Sequence, residues 1–157
     1  PLRQPEFLLE TLKLCKEKGI NTCLDTSGYG FGDYDEILKY TDLVLYDIKH
    51  YTREGYKNIT LMEIDETLKF LEAMKRNNTE MWIRQVVVPG FTDSREYLEG
   101  LKKYIDTIPN IKRVELLPYH LLGVNKYEIM KIRYPLEGVE AMDKELCKKY
   151  QEEIFGY

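Results

Sequence analysis

The chain has 157 residues, 43% of them hydrophobic and 32% charged, with 27 acidic and 23 basic side chains and a net charge of −4. This is the size of one domain, with residues 1–157 read as a single unit, and the composition of an ordinary soluble protein. The acid excess and the lack of a basic stripe argue against a nucleic-acid footprint, and no apolar run nears the ~18 residues of a membrane span. No signal peptide opens the chain. Cys15, Cys23 and Cys147 are odd in number and far apart, which fits a reducing cytoplasm better than a disulfide scaffold.

The chain begins Pro1-Leu2 with neither a Met nor a preceding strand, so it reads as a piece of something longer. Pro5 and Glu6 suit a helix start, Leu8, Leu12 and Cys15 give its apolar face, and Gly19 closes it. A short strand is expected over 20–25, broken by Ser27-Gly28-Tyr29-Gly30, and a weaker helix over 33–40. The apolar run Leu43-Val44-Leu45-Tyr46 predicts a strand over 42–48.

Residues 50–63 read as a long polar connection without period, a length that is often functional. Asp65 is placed to cap the next helix, whose apolar face carries Leu68, Leu71 and Met74 and which stops near Asn77-Asn78. Met81 to Val88 is the strongest strand, ended by Pro89-Gly90. Asp93 with Glu96 forms a plausible capping box for a helix bearing Leu98, Leu101 and Ile105, and a strand follows over 113–117. A second irregular region follows His120, and a last helix runs over 143–155. Strands alternating with helices imply parallel pairing. Four strands are too few for a closed eight-stranded barrel. The expected fold is therefore α/β, a partial (β/α) barrel or open parallel sheet without its N-terminal βα units.

Polar groups delivered from several strand ends are how such a sheet builds a ligand site. Asp47 and Lys49, two residues apart on an extended segment, point to one side. Their plain alternative is a buried structural ion pair. Asp25-Thr26-Ser27-Gly28 ends the preceding strand and also suits a tight turn, which explains Ser27 and Gly28 better than Asp25. Arg84 interrupts the apolar strand Trp82-Ile83-Arg84-Gln85-Val86-Val87-Val88, so it either meets a partner or sits on an edge strand in solvent. His120 follows Leu-Leu-Pro-Tyr, and its alignment with the other strand ends sets it above a lone structural His. The cysteines read as structural, since no short-spaced metal-ligand cluster exists. No Gly-rich phosphate loop, Ser-His-Asp order or His-x-x-x-His motif is visible.

Several stretches together resemble one family. They are Pro1-Leu2-x-Gln4, Thr22-Cys23-Leu24-Asp25-Thr26-Ser27-Gly28 and Thr41-Asp42-Leu43-Val44-Leu45-Tyr46-Asp47-Ile48-Lys49. To these add Trp82-Ile83-Arg84-x-Val86-Val87-Val88-Pro89-Gly90, Leu116-Leu117-Pro118-Tyr119-His120-x-Leu122-Gly123 and Lys126-Tyr127. In order and spacing they resemble the C-terminal part of the pyruvate formate-lyase-activating family, within the radical S-adenosylmethionine superfamily.

The resemblance implies a TIM-barrel-like partial (β/α)₆ barrel. It also implies an upstream Cys-x₃-Cys-x₂-Cys loop for a 4Fe–4S iron–sulfur cluster, absent from this chain, so that the chain alone should be inactive. Asp47, Lys49, Arg84 and His120 match positions around S-adenosylmethionine. Asp25, Thr26 and Asp47 match a monovalent-cation site to which the residue matching Leu45 also contributes. The implied activity is an oxidoreductase of anaerobic metabolism that cleaves S-adenosylmethionine reductively and makes a glycyl radical on pyruvate formate-lyase. A flavodoxin-like or ferredoxin-like protein is the electron donor the resemblance implies. Leu61-Met62-Glu63-Ile64 departs from the family's Gly-x-Ser-Asn stretch, which bears on the approach to the partner rather than on the ligand site. Two alternatives stand beside this: an activase for another glycyl-radical enzyme, and a non-redox α/β module for a small ligand.

Overall fold

The computed structural model describes residues 1–156. Its elements are α1 (Pro5–Glu17), β1 (Cys23–Thr26), α2 (Tyr34–Leu38), β2 (Leu43–Asp47), α3 (Arg53–Thr60), α4 (Asp65–Arg76), β3 (Met81–Val87), α5 (Arg95–Ile105), β4 (Ile111–Pro118), α6 (Val124–Met130) and α7 (Lys144–Tyr150). A π-helical turn over Gln151–Phe155 follows α7. The strands form one sheet in the order β1-β2-β3-β4, and β1, β2 and β3 pair in parallel. An order without reversal is the singly wound arrangement of a barrel sector, not that of a doubly wound sheet with its switch point. The parallel α/β fold expected from the alternation of elements is present.

The described residues divide into two compact units, residues 1–85 with 104–115, and residues 86–103 with 116–157. In the first unit α1 starts on Pro5 and ends through Gly19, whose φ of +69° lets the Ile20 N–H reach the Cys15 carbonyl. Ile20 is therefore spent on closing a helix and is exposed, and β1 begins only at Cys23. Asp42 ties the start of β2 to Thr22, accepting from its backbone N–H at 2.7 Å and from its hydroxyl at 3.0 Å, and pairs with Lys16. The core of the unit is built on Val44 and Tyr46 of β2, Phe70, Leu71 and Met74 of α4, and Met81 and Ile83 of β3, each 2% exposed or less. Tyr46 anchors α4 by donating from its hydroxyl to the Thr67 carbonyl at 3.3 Å.

Three local expectations need correction. Residues 50–63 hold a helix, α3, capped by the Thr52 hydroxyl on the Gly55 N–H. Gly55 hid that helix from a propensity reading, and its reason is steric: a Cβ there would lie 2.1 Å from the His50 ring. Asp65 is not a cap but the first residue of α4, and its carboxylate accepts two bonds from Arg53, at 2.9 and 2.8 Å. In the second unit Asp93 accepts from the Gly90 N–H instead of capping α5. Ser94 caps it, accepting from the Tyr97 N–H at 3.1 Å, so the capping box with Glu96 does not form.

The second unit also carries α6, where the sequence suggested irregular chain. Within it the Tyr119 N–H donates to the Val87 carbonyl and the Met142 N–H to the Tyr119 carbonyl. Asp143 caps α7, accepting from the N–H groups of Glu145 and Leu146. Among the cysteines only Cys147 is buried; Cys15 is half-buried and Cys23 exposed, so Cys23 does not serve the packing role expected of it.

Candidate functional site

Strand alternation and register create the site in the first unit. Buried and less buried residues alternate along β2 and β3, and exposed and buried ones along β1. Asp25 is in register with Leu45, which is in register with Trp82, while Asp47 is in register with Arg84. Cys23, Asp25, Leu45, Asp47, Trp82 and Arg84 therefore share the less buried face; Asp25 and Asp47 stand at or near the C-terminal ends of β1 and β2, while Arg84 lies in the middle of β3, in register with Asp47.

Arg84 is the centre of this group. Its Nε donates to Asp47 Oδ1 at 2.7 Å, and its terminal nitrogen donates to Asp25 Oδ1 at 2.5 Å. The second oxygen of Asp47 accepts from Lys49 Nζ at 3.2 Å. Two acids and two bases thus alternate in one neutral cluster, Asp25–Arg84–Asp47–Lys49. The Arg84 side chain is only 17% exposed, against 23% for Asp47, 36% for Lys49 and 59% for Asp25. Burial works against the guanidinium charge, and the hydrogen bonds and charges of Asp47 and Asp25 outweigh it, so that its pKa is raised. β3 is an interior strand, which removes the reading of Arg84 as a solvent-facing edge residue.

Thr26 faces the other way and is buried, its hydroxyl accepting from the Gly28 N–H at 3.0 Å. This fixes the turn that ends β1. Gly28 has φ +81°, and a Cβ there would lie 2.8 Å from the Tyr46 ring, so the turn needs glycine twice over, for conformation and for space. The guanidinium stands where a cation was expected, between Asp25 and Asp47, and a bound cation would share both carboxylates with it. No group of three or more His, Cys, Asp or Glu residues suited to a metal ion occurs among the described residues.

His120 belongs to the second unit, where it is exposed and its Nδ1 accepts weakly from the Leu122 N–H at 3.4 Å. Trp82, not singled out from the sequence, lies on the same face of the sheet. It shares a face with Arg84 by the same two-residue step that linked Asp47 to Lys49, and the Arg113 guanidinium lies 5.2 Å from its ring centre. That step was the available signal.

The cluster has a definite binding chemistry. A neutral set of alternating charges can exchange partners with a zwitterion, lysine and arginine turning to a carboxylate while the acids accept from an ammonium or from hydroxyls. It has no nucleophile–base pair and no proton relay of its own.

No model of a known protein family matches the chain. It is 53% identical over 150 residues to the pyruvate formate-lyase-activating enzyme of Clostridium pasteurianum, covering 96% of this chain and 63% of that protein. The enzyme of the same name from Listeria monocytogenes is 39% identical over 153 residues, covering 93% of this chain and 62% of the relative. Among solved structures, a domain of a pyruvate-formate lyase-activating enzyme from Bacteroides vulgatus superposes with a TM-score of 0.74 at 19% identity, over 97% of this chain and 86% of that one. A radical SAM methyltransferase from Sphaerobacter thermophilus gives 0.60 at 12% identity, over 86% of this chain and 38% of that one. At these identities the two structures speak for the fold alone. By sequence, the chain is a relative of the pyruvate formate-lyase-activating enzymes, spanning less than two thirds of their length.

Proposed function

We propose that the strand-end cluster holds the methionine end of S-adenosylmethionine in an enzyme that activates pyruvate formate-lyase by forming a glycyl radical. The observation that carries this reading is the neutral Asp25–Arg84–Asp47–Lys49 cluster in a chain 53% identical to a protein of that name. The ligand's methionine end is a zwitterion, which is the charge pattern the cluster can exchange into. Lys49, the more exposed of the two bases, turns to the ligand carboxylate, and Arg84 stays to hold Asp47 and Asp25 in place. Asp47 accepts from the ligand's ammonium or ribose hydroxyls. A 4Fe–4S cluster, which the family resemblance assigns to a Cys-x₃-Cys-x₂-Cys loop absent from this chain, would supply the electron for reductive cleavage.

The same reading makes the protein an oxidoreductase of the reducing cytoplasm, with pyruvate formate-lyase as partner and a flavodoxin-like or ferredoxin-like electron donor. The monovalent cation expected at Asp25, Thr26 and Asp47 is not part of this reading, because the Arg84 guanidinium holds both carboxylates and the Thr26 side chain faces the other way. On its own the chain is inert, because the cluster ligands lie elsewhere: iron and sulfide added under anaerobic reduction produce no 4Fe–4S absorbance.

The test is Lys49→Ala in the full-length, cluster-loaded enzyme, with S-adenosylmethionine binding followed by calorimetry. Loss of one charge-assisted contact weakens binding about tenfold, or ~1.4 kcal/mol. Unchanged affinity would take Lys49 out of the site. Activation of pyruvate formate-lyase, read as its glycyl-radical resonance, separates this partner from another glycyl-radical enzyme.

A further inference from the structure

The second unit carries a groove that the proposed chemistry does not use. None of residues 121–141 is buried, yet this stretch holds Leu122 at 81% exposure, Ile129 at 78% and Met130 and Ile132 at 55% and 54%. A helix with no buried side chain gains little from its own fold, so α6 has an apolar surface left for something else. Beside it lies a cavity of about 740 Å³ whose apolar lining is Leu121, Val124, Ile132, Leu136 and Val139.

Its aromatic wall is fixed. The Tyr127 and Tyr134 rings meet edge to face at 4.9 Å, and the Tyr134 hydroxyl is hydrogen-bonded to that of Tyr119, a buried residue. The charges of the lining are Glu128, Glu137, Glu140 and Arg133. Arg133 is engaged by Glu137 at 3.4 Å, while Glu128 and Glu140 have no ion pair among the described residues. The lining is therefore acidic.

We propose that this groove docks an apolar polypeptide segment flanked by lysine or arginine. The apolar surface continues past the cavity along α6 through Ile129 and Met130, farther than a small molecule covers. The unpaired carboxylates of the cavity lining select a basic partner, while Lys126 and Lys131 of the same stretch lie outside that lining. This inference is independent of the S-adenosylmethionine reading.

The experiment uses two short fluorescent peptides of equal length, one alternating leucine with lysine and one leucine with glutamate, followed by anisotropy. The leucine–lysine peptide binds at least about tenfold tighter to the native chain. Glu128→Lys with Glu140→Lys reverses that order, and Ile132→Asp weakens both peptides about tenfold. All three positions are exposed. If the double reversal nonetheless unfolds the chain, Glu128→Gln with Glu140→Gln reads the same effect as a lost preference. A preference untouched by the charge variants overturns the proposal, as does binding untouched by Ile132→Asp. Self-association of the chain abolished by Ile132→Asp overturns it in favour of a second copy. Capture by phosphatidylcholine–phosphatidylserine vesicles through the same residues overturns it in favour of a membrane.

Discussion

Replacing Arg84 by methionine tests whether the strand-end cluster is a built unit or a set of solvated charges. Methionine keeps the apolar stem and removes only the guanidinium. The bond to Asp47 joins groups that are 17% and 23% exposed, so it falls in the range of charge-assisted bonds, ~1.5–3 kcal/mol. The bond to Asp25 ends on a carboxylate 59% exposed and is worth ~0.2–1 kcal/mol after screening. Asp47 keeps Lys49 at 3.2 Å, so the ~3–5 kcal/mol of a stranded buried charge does not apply. The expected loss is about 2–4 kcal/mol. At a urea slope of ~1–3 kcal/mol per molar this moves the unfolding midpoint by roughly 1 M. In a double-mutant cycle with Asp47→Asn, about 1.5 kcal/mol appears as coupling. A loss under ~0.5 kcal/mol with no coupling would refute the reasoning, because charges exchanging freely with water leave no such signature.

Gly28→Ala meets two costs, the left-handed backbone and a methyl 2.8 Å from the Tyr46 ring and 3.2 Å from Phe70. It should destabilise the chain by ~2–4 kcal/mol in urea unfolding, and a loss below ~1 kcal/mol would mean that the turn relaxes. The Asp42 carboxyl is held below its ordinary value of 3.8 by its bond to Lys16 and then by the Thr22 N–H. A depressed folded-state pKa contributes stability that is full above the unfolded value and is withdrawn as pH falls through the folded one. Stability should therefore drop as the pH is lowered below about 3.8, and Asp42→Asn should flatten that slope; an unchanged slope in the urea midpoint against pH assigns the loss to other carboxylates.

Much of this was readable in advance because the signals are short-range. The Leu43-Val44-Leu45-Tyr46 run, the Pro5 start and Gly19 end of α1, and Leu98, Leu101 and Ile105 on one helix face each depend on neighbours within a turn or a strand. The same-side placement of Asp47 and Lys49 follows from the two-residue period and is realised at 3.2 Å. What escaped was set by distant atoms. α3 contains a glycine that looks unfavourable until the His50 ring is seen against it. Asp65 has the residue type of a cap, but the Arg53 guanidinium claims its carboxylate.

By itself the sequence determined the alternation of strands and helices, and with it a parallel α/β fold. It also placed Asp25 and Asp47 at or near strand ends, since chain direction and period are local properties; Arg84, expected at a strand end too, lies in the middle of β3. Only the tertiary structure decided which of them meet. Arg84 is 59 positions along the chain from Asp25, and their contact exists because β1, β2 and β3 pair in one register. A shift of one residue would turn Arg84 to the opposite face and leave both acids without it. Register is fixed by Tyr46, Phe70 and Ile83 packing behind the sheet, so the charge cluster on one face is positioned by the apolar core on the other.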